Sequence, residues 1–406
     1  MDSQQSLCER RQLLQQKIFS HPSISNFNVY SRAAFDKLSK CHTSGIGVHQ
    51  YKCNNAACAI VHQQYHSCGN RHCPNCGGMR REQWIQERMN ELLPTTYFHV
   101  VFTLPQELRS LAMGNMREMY SLLFDAAHYA INKLSADKKW MGAKPGIISV
   151  LHTWGQDVGY HPHVHCIVTG GGISQEQMWV KEKRGNGKFL FPKTSITKIY
   201  KAYFVKQMQK RIAENKIKIE DVPAHEAAIN TADKKIWNVY AKAPFAGPAQ
   251  VIEYIGRYTH KVAITAHRIQ HIGDSDITFT YKDYNDGDKI KQMTLSHTEF
   301  TRRFEKHILP KRFVRIRHAG FLCHRNKTER LQRIHTQLLL PPPPPRVTVP
   351  LHIQVMQRTG NDITICPVCK KGKLELMGSY KYINGKMINV NDLRNRGSPL
   401  KQNINR

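Results

Sequence analysis

Apolar positions recur along the chain with two different periods, which predicts strands and helices in alternation. The run from 97 to 104 is rich in aromatic and β-branched residues and closes at Pro105, which is typical of a buried strand. The predicted strands are 97–104, 146–154 and 163–169 with a hairpin over 277–295, and the predicted helices are 83–93, 107–134 and 195–215. Separated strands and long helices predict an α+β fold with a central antiparallel or mixed sheet flanked by helices.

A run of prolines over 341–345 divides the chain, because such a run is extended and acts as a spacer. We therefore expect three segments. Residues 1–93 form a small N-terminal helical and zinc-binding domain, and residues 94–335 form the α+β domain. Residues 336–406 form a polyproline linker and a basic tail that carries one Cys-x-x-Cys pair.

The charge of the chain favours a polyanionic partner. Lys and Arg number 60 against 30 Asp and Glu, which gives a formal net charge of +30 over 406 residues. Nucleic acid is the first candidate, since each cation that neutralises a phosphate releases a counterion. An anionic membrane surface is the competing interpretation, but the chain has no long basic amphipathic helix. Without an apolar run of membrane-spanning length or a signal core, we expect a cytoplasmic, nucleoid-associated protein.

Five of the eleven cysteines fall between residues 53 and 76. In a chain without an export signal, such crowding favours thiolates on a metal over disulfides or buried apolar thiols. Two thiol pairs about fifteen residues apart are typical of one structural, four-coordinate zinc. The expected ligands are Cys53, Cys58, Cys73 and Cys76, with Cys68 or His72 as alternatives. Cys366-Pro-Val-Cys369 supplies half a site, which Cys323, a histidine or another chain could complete, or it is a lone reduced pair.

A histidine pair lies on the third predicted strand. The two-residue period of a strand sends His163 and His165 to one face and Val164 to the other. Two converging imidazoles suit a divalent metal ion, and phosphate oxygens would complete its coordination shell. A chain with 22 histidines also produces neighbouring histidines by chance. The candidates for a third ligand are His152, Gln156 and Asp157.

Two tyrosines share one face of a predicted helix. Pro248 begins a helical pattern in which Tyr254 and Tyr258 are four residues apart and Lys261 follows. Both can equally be core residues that share their face with Val251. A phenol with a pKa near 10 attacks a phosphate only with help from a metal or a cation. A metal on the histidine pair and the lysine would supply that help, and the product would be a phosphotyrosine link to DNA.

These motifs together resemble a known family. Their order follows that of HUH endonucleases: Phe102-Thr-Leu-Pro105, His163-Val-His165, then Tyr254-x3-Tyr258 with Lys261. The segment Cys68-Gly-Asn-Arg-His-Cys-Pro-Asn-Cys76 is similar to the zinc-binding head of two-tyrosine rolling-circle transposases of insertion-sequence family ninety-one. The first cysteine pair departs from that family, since four residues stand between its members where two are common.

The resemblance implies an HUH nuclease domain over 94–335 and a transposase that nicks and rejoins single-stranded DNA at element ends. By this likeness His163 and His165 bind Mg²⁺ or Mn²⁺, structural Zn²⁺ fills the head, and Tyr254 and Tyr258 form 5'-phosphotyrosine intermediates. A phosphate loop of the G-x4-G-K-[ST] type is missing from the sequence, so a host helicase is an expected partner. The alternatives are a plasmid replication initiator or relaxase, and a zinc-containing DNA-binding regulator without catalysis.

Overall fold

The computed structural model describes residues 5–184, 189–242, 250–251, 256, 262–284, 286–344, 349–383 and 386–390. Its helices are α1 (Leu7–Leu13), α2 (Val29–Ser39), α3 (Gly78–Met89), α4 (Arg109–Gly114), α5 (Met116–Ala136), α6 (Lys193–Ala213), α7 (Val222–Lys234), α8 (His297–Glu305), α9 (Lys327–Gln337) and α10 (Leu351–Thr359). Its strands are β1 (Gly47–Cys53), β2 (Val61–Tyr65), β3 (Tyr97–Thr103), β4 (Lys144–Trp154), β5 (Tyr160–Ile173), β6 (Trp179–Lys181), β7 (Val239–Lys242), β8 (Ile269–Ile272), β9 (Asp276–Asp283), β10 (Lys289–Ser296), β11 (Ile316–Ala319), β12 (Leu374–Ile383) and β13 (Lys386–Asn389).

The main sheet runs in the order β11-β4-β5-β3-β7, with β6 added to one end of β5, and every pairing is antiparallel. Alternation along β5 sends Val164, Cys166 and Val168 into a core with α5 and α6. Fully burying a side chain of this size contributes about 1.5–3 kcal/mol. The opposite face of the same strand carries the histidines. The predicted α+β class with an antiparallel central sheet is confirmed.

A second layer joins the N-terminal helices to a three-stranded sheet of β8, β9 and β10. Phe35 of α2 packs against Phe304 of α8, with ring centroids 5.7 Å apart. Trp154 at the end of β4 belongs to the same buried cluster. The N-terminal segment is therefore packed directly on the domain that carries the histidines.

A third sheet joins the two ends of the chain, in the order β13-β12-β1-β2. We expected 1–93 and 336–406 to be separate segments, the latter a basic tail, but Leu374 pairs with Cys53 and Lys381 pairs with Gly47. Among the described residues beyond the proline run, β12 and β13 form a hairpin that pairs with β1 of the N-terminal module (residues 5–93). Local pattern does not record a pairing between strands more than 300 residues apart.

The predicted helix over 107–134 is two helices, because α4 ends at Gly114 and Asn115 has φ of −129° and ψ of 40°. Helix α7 was not predicted; it begins with Pro223 in its first turn and Asp221 as its N-cap. In the described residues, none of the helices combines the length and the apolar character that a membrane crossing requires.

Candidate metal centres

Three histidines converge on the face of the main sheet opposite the α5 and α6 core. The antiparallel register sets His152 of β4 directly opposite His163 of β5, and alternation brings His165 to the same face. One nitrogen from each ring lies within 4.8 Å of the other two. The ring centroids of His152 and His165 are 4.5 Å apart, and those of His163 and His165 are 4.8 Å apart. Three imidazoles at this spacing fit one divalent cation with positions left for phosphate oxygens.

Hydrogen bonds orient two of the three rings. Nδ1 of His163 lies 2.6 Å from the carbonyl of His161, so this nitrogen donates and Nε2 is left as the ligand atom. Nδ1 of His165 lies 2.9 Å from Nε2 of His99, and the two rings are parallel. Metal-binding histidines use their second nitrogen in this way. The donor set therefore fits a metal ion.

His99 was missed by the sequence reasoning, although strand alternation could have found it. It lies on β3 two residues before Val101, which pairs with His165. It is almost fully buried and contacts the histidine cluster from outside. It acts as a positioning residue for His165.

Asp157 and Gln156, the other candidates for a third ligand, are used elsewhere. Asp157 Oδ1 accepts a hydrogen bond of 3.0 Å from the amide of Gly159 and shapes the loop between β4 and β5. Gln156 Nε2 donates to the hydroxyl of Tyr284 at 3.1 Å. His152 is the candidate that the structure brings to the pair.

A guanidinium from the first residue of α4, Arg109, lies next to the cluster. Arg109 donates to Nδ1 of His161, whose ring centroid is 5.1 Å from that of His163. Burial, and then the charge of Arg109, lower the pKa of His161 to about 4, so this ring is neutral at pH 7. Burial also lowers the pKa of Arg109. Positive charge at this edge suits a phosphate chain.

The predicted nucleophiles Tyr254 and Tyr258, and Lys261, lie outside the described residues. Val251 and Gly256 of the same segment are described. Val251 is fully buried against Tyr97 and Ile167, and a Cβ at Gly256 would lie 2.3 Å from Ile85.

The cysteines form two groups of four, where the sequence predicted one. Cys41, Cys68, Cys73 and Cys76 make one group, and Cys53, Cys58, Cys366 and Cys369 make the other. The expected set of Cys53, Cys58, Cys73 and Cys76 is therefore split between two places. Cys68, expected as an alternative, belongs to the first group, whereas His72 belongs to neither.

The first group has the geometry of a closed zinc site. Its sulfurs lie 3.5 Å apart in the pairs Cys68–Cys76 and Cys41–Cys73. Hydrogen bonds from Cys41, and then from Cys68 and Cys73, lower the pKa of Cys76. Four sulfur donors leave no position for water, which is typical of a structural zinc.

The region that carries the histidines and the zinc-binding region each match a known family. Residues 146–330 match a family described as "Putative transposase", and residues 12–104 match the transposase zinc-binding domain. The "Putative transposase y4qJ" of Sinorhizobium fredii is 36% identical over 90% of this chain and 92% of its own length. The chain belongs to the family-ninety-one insertion-sequence transposases. A further relative, the transposase for insertion sequence element IS801 of Pseudomonas savastanoi pv. phaseolicola, is 30% identical over 76% of this chain and 74% of its own.

Solved structures are much more distant from this transposase. A metal-bound conjugative relaxase TrwC in complex with oriT DNA has a TM-score of 0.24 at 10% identity, covering 60% of this chain and 96% of the relaxase chain. The copper-bound form has a TM-score of 0.22 at 10% identity, covering 40% of this chain and 68% of that one. Within the transposase, Cys41, Cys68, Cys73 and Cys76 fall inside the matched zinc-binding region. Cys366 and Cys369 lie beyond both matched regions.

Proposed function

We propose that this transposase cuts and rejoins one DNA strand at the ends of its element, with a tyrosine as the nucleophile. The observation that carries the proposal is the convergence of His152, His163 and His165 on one face of the main sheet. Family membership supports strand transfer over plasmid replication or conjugation.

The three imidazoles would hold Mg²⁺ or Mn²⁺, which when bound polarises a phosphodiester oxygen. Neutral ligands leave the full cationic charge for the phosphate. His99 keeps His165 turned toward the centre, and the carbonyl of His161 does the same for His163. The protein's part is to hold the scissile phosphate and to orient it.

We assign the attack to Tyr254 and Tyr258, with Lys261 neutralising the phenolate. Support comes from Val251, three residues before the first tyrosine, which packs on Ile167. Ile167 is two residues along β5 from His165 and on the same face. The phenolic oxygen bonds to phosphorus, the 3'-oxygen of the preceding nucleotide leaves as a hydroxyl, and a 5'-phosphotyrosine link remains. A second tyrosine lets a second strand end be handled in turn, as rolling-circle transposition requires.

The expected DNA partner is single-stranded, and the charge of +30 supports binding to its phosphates. A host helicase would supply the opened strand. A protein that acts on cellular DNA would be associated with the nucleoid.

The test is incubation of the full chain with Mn²⁺ and single-stranded oligonucleotides from the element ends, followed by a denaturing gel. We expect a chelator-sensitive covalent protein–DNA band. The double variant Tyr254→Phe/Tyr258→Phe should lose this band, and so should His152→Ala and His163→Ala. Tyr129→Phe, an exposed tyrosine on α5, is the matched control and should keep it.

Cleavage that persists in the double tyrosine variant would refute the nucleophile assignment. DNA binding without any covalent band, in wild type and variants alike, would favour a non-catalytic DNA-binding regulator.

A further inference from the structure

The second cysteine group is built from both ends of the chain. Cys53 and Cys58 flank the turn after β1, and Cys366 and Cys369 precede β12. The Sγ atoms of Cys53 and Cys369 are 3.7 Å apart, and those of Cys58 and Cys366 are 3.9 Å apart. Four sulfurs 2.3 Å from one tetrahedral zinc would be about 3.8 Å apart. We propose that these four cysteines bind a second structural zinc, which fastens the C-terminal hairpin to the N-terminal module.

Main-chain contacts bring the two halves together independently of any metal. The amide of Asn54 donates to the carbonyl of Lys373 at 3.0 Å, and the amide of Lys373 donates to Asn54 Oδ1 at 2.8 Å. The amide of Gly372 donates to Cys369 Sγ at 3.3 Å, as amides do to thiolates in zinc knuckles. A Cβ at Gly372 would lie 2.4 Å from Cys53 Sγ, so only glycine allows this approach.

The sheet around this group has almost no core of its own. Apart from its glycines, Val48 and Cys53, every described side chain of β1, β2, β12 and β13 is at least partly exposed. Leu376 and Met377 are each 57% exposed. A sheet that buries so little apolar surface needs another source of stability, and a structural metal is the usual one in small modules.

The four sulfur donors determine which metal ion fits this group. Four sulfur donors favour a soft or borderline cation such as Zn²⁺ over Mg²⁺ or Mn²⁺. With all four positions filled by protein, the ion has a structural role. Its binding would close a ring of the chain from residue 53 to residue 369, which spans the whole α+β domain.

The first test counts metal in the purified full chain by mass spectrometry. Two groups of four cysteines predict two zinc ions per chain. Cys366→Ser/Cys369→Ser should retain one. The matched control Cys8→Ser/Cys323→Ser, which changes two cysteines outside both groups, should retain two. The counts are made in the His163→Ala background, so that zinc on the histidine centre is not included. One ion without the cysteine change, or two with it, would overturn the proposal.

A second measurement covers the case in which that variant does not fold. Cobalt titration of the metal-free His163→Ala chain, read by sulfur-to-cobalt charge-transfer absorption, should saturate at two equivalents. Saturation at one equivalent would contradict the second site.

A separate experiment tests whether zinc holds the C-terminal hairpin on the N-terminal module. A site for a specific protease, inserted within the proline run, allows the chain to be cut before the hairpin. In gel filtration the hairpin fragment should stay bound in the wild type and in the Cys8→Ser/Cys323→Ser control, and it should separate in Cys366→Ser/Cys369→Ser. A fragment that stays bound in the latter variant would show that zinc does not hold it.

Discussion

Replacing His99 by leucine should weaken divalent-metal binding at the histidine cluster without removing a ligand. The ring of His99 is almost fully buried, and its Nε2 lies 2.9 Å from Nδ1 of His165. With a metal on Nε2 of His165, Nδ1 carries the proton and donates to His99. Leucine fills similar space but cannot accept that hydrogen bond.

The magnitude follows from the burial of this hydrogen bond. A buried donor left without an acceptor costs about 1–3 kcal/mol. Loss of an outer partner of a metal-binding histidine typically lowers metal affinity about 10–100-fold, which corresponds to about 1.4–2.7 kcal/mol. The two estimates agree, so we expect the dissociation constant for Mn²⁺ to rise about 10–100-fold in His99→Leu.

The assay is titration of Mn²⁺ into the full chain, with free Mn²⁺ followed by electron paramagnetic resonance. His99→Gln restores an acceptor and should recover part of the affinity. The matched control is His128→Leu, which removes a half-buried histidine that is hydrogen-bonded to Ser149 at 2.7 Å, and it should leave the affinity unchanged. Equal affinities in His99→Leu and the wild type, when His152→Ala has lost binding, would refute the role of His99.

Two further predictions concern stability. Burial lowers the pKa of His307 to about 4 from 6.5, and its Nε2 donates to the carbonyl of Val158. As pH falls, His307 therefore takes up a proton in the unfolded chain before it does so in the folded protein. The free energy of unfolding should fall by up to about 1.4 kcal/mol per pH unit between pH 6.5 and pH 4. His307→Gln should flatten this slope in urea unfolding, and an unchanged slope would contradict the assignment. Gly320→Ala should destabilise more than Gly287→Ala, because both have positive φ but only a Cβ at Gly320 meets a main-chain atom, the carbonyl of Pro145 at 1.6 Å. Equal shifts in thermal unfolding would show that this clash is relieved elsewhere.

Local sequence predicted the part of the site that lies on one element. The spacing of His163 and His165 fixes their shared face, because side-chain direction in a strand depends only on position. His152 was a candidate, but ranking it above Asp157 required the register of β4 on β5. That register depends on the bulge after His152 and on the loop that follows, which local pattern does not specify.

The cysteine groups mark the limit of such reasoning. Spacing paired Cys53 and Cys58 with Cys73 and Cys76 because they are near in sequence. The structure instead pairs Cys53 with Cys369 through the ladder between β1 and β12. Cys41, which completes the other group, stands alone in sequence after α2, so no spacing rule connects it to Cys73.

A chain of hydrogen bonds also links the first cysteine group to the strand that carries His152. Arg71, in the loop between Cys68 and Cys73, donates to the carbonyls of Pro310 at 3.0 Å and Phe313 at 2.5 Å. That segment continues to Arg315, whose carbonyl accepts from the amide of Leu151, the residue before His152. A knuckle that lost its zinc would release the loop that holds this segment against β4. The zinc-binding module therefore supports the segment that pairs with the strand carrying His152.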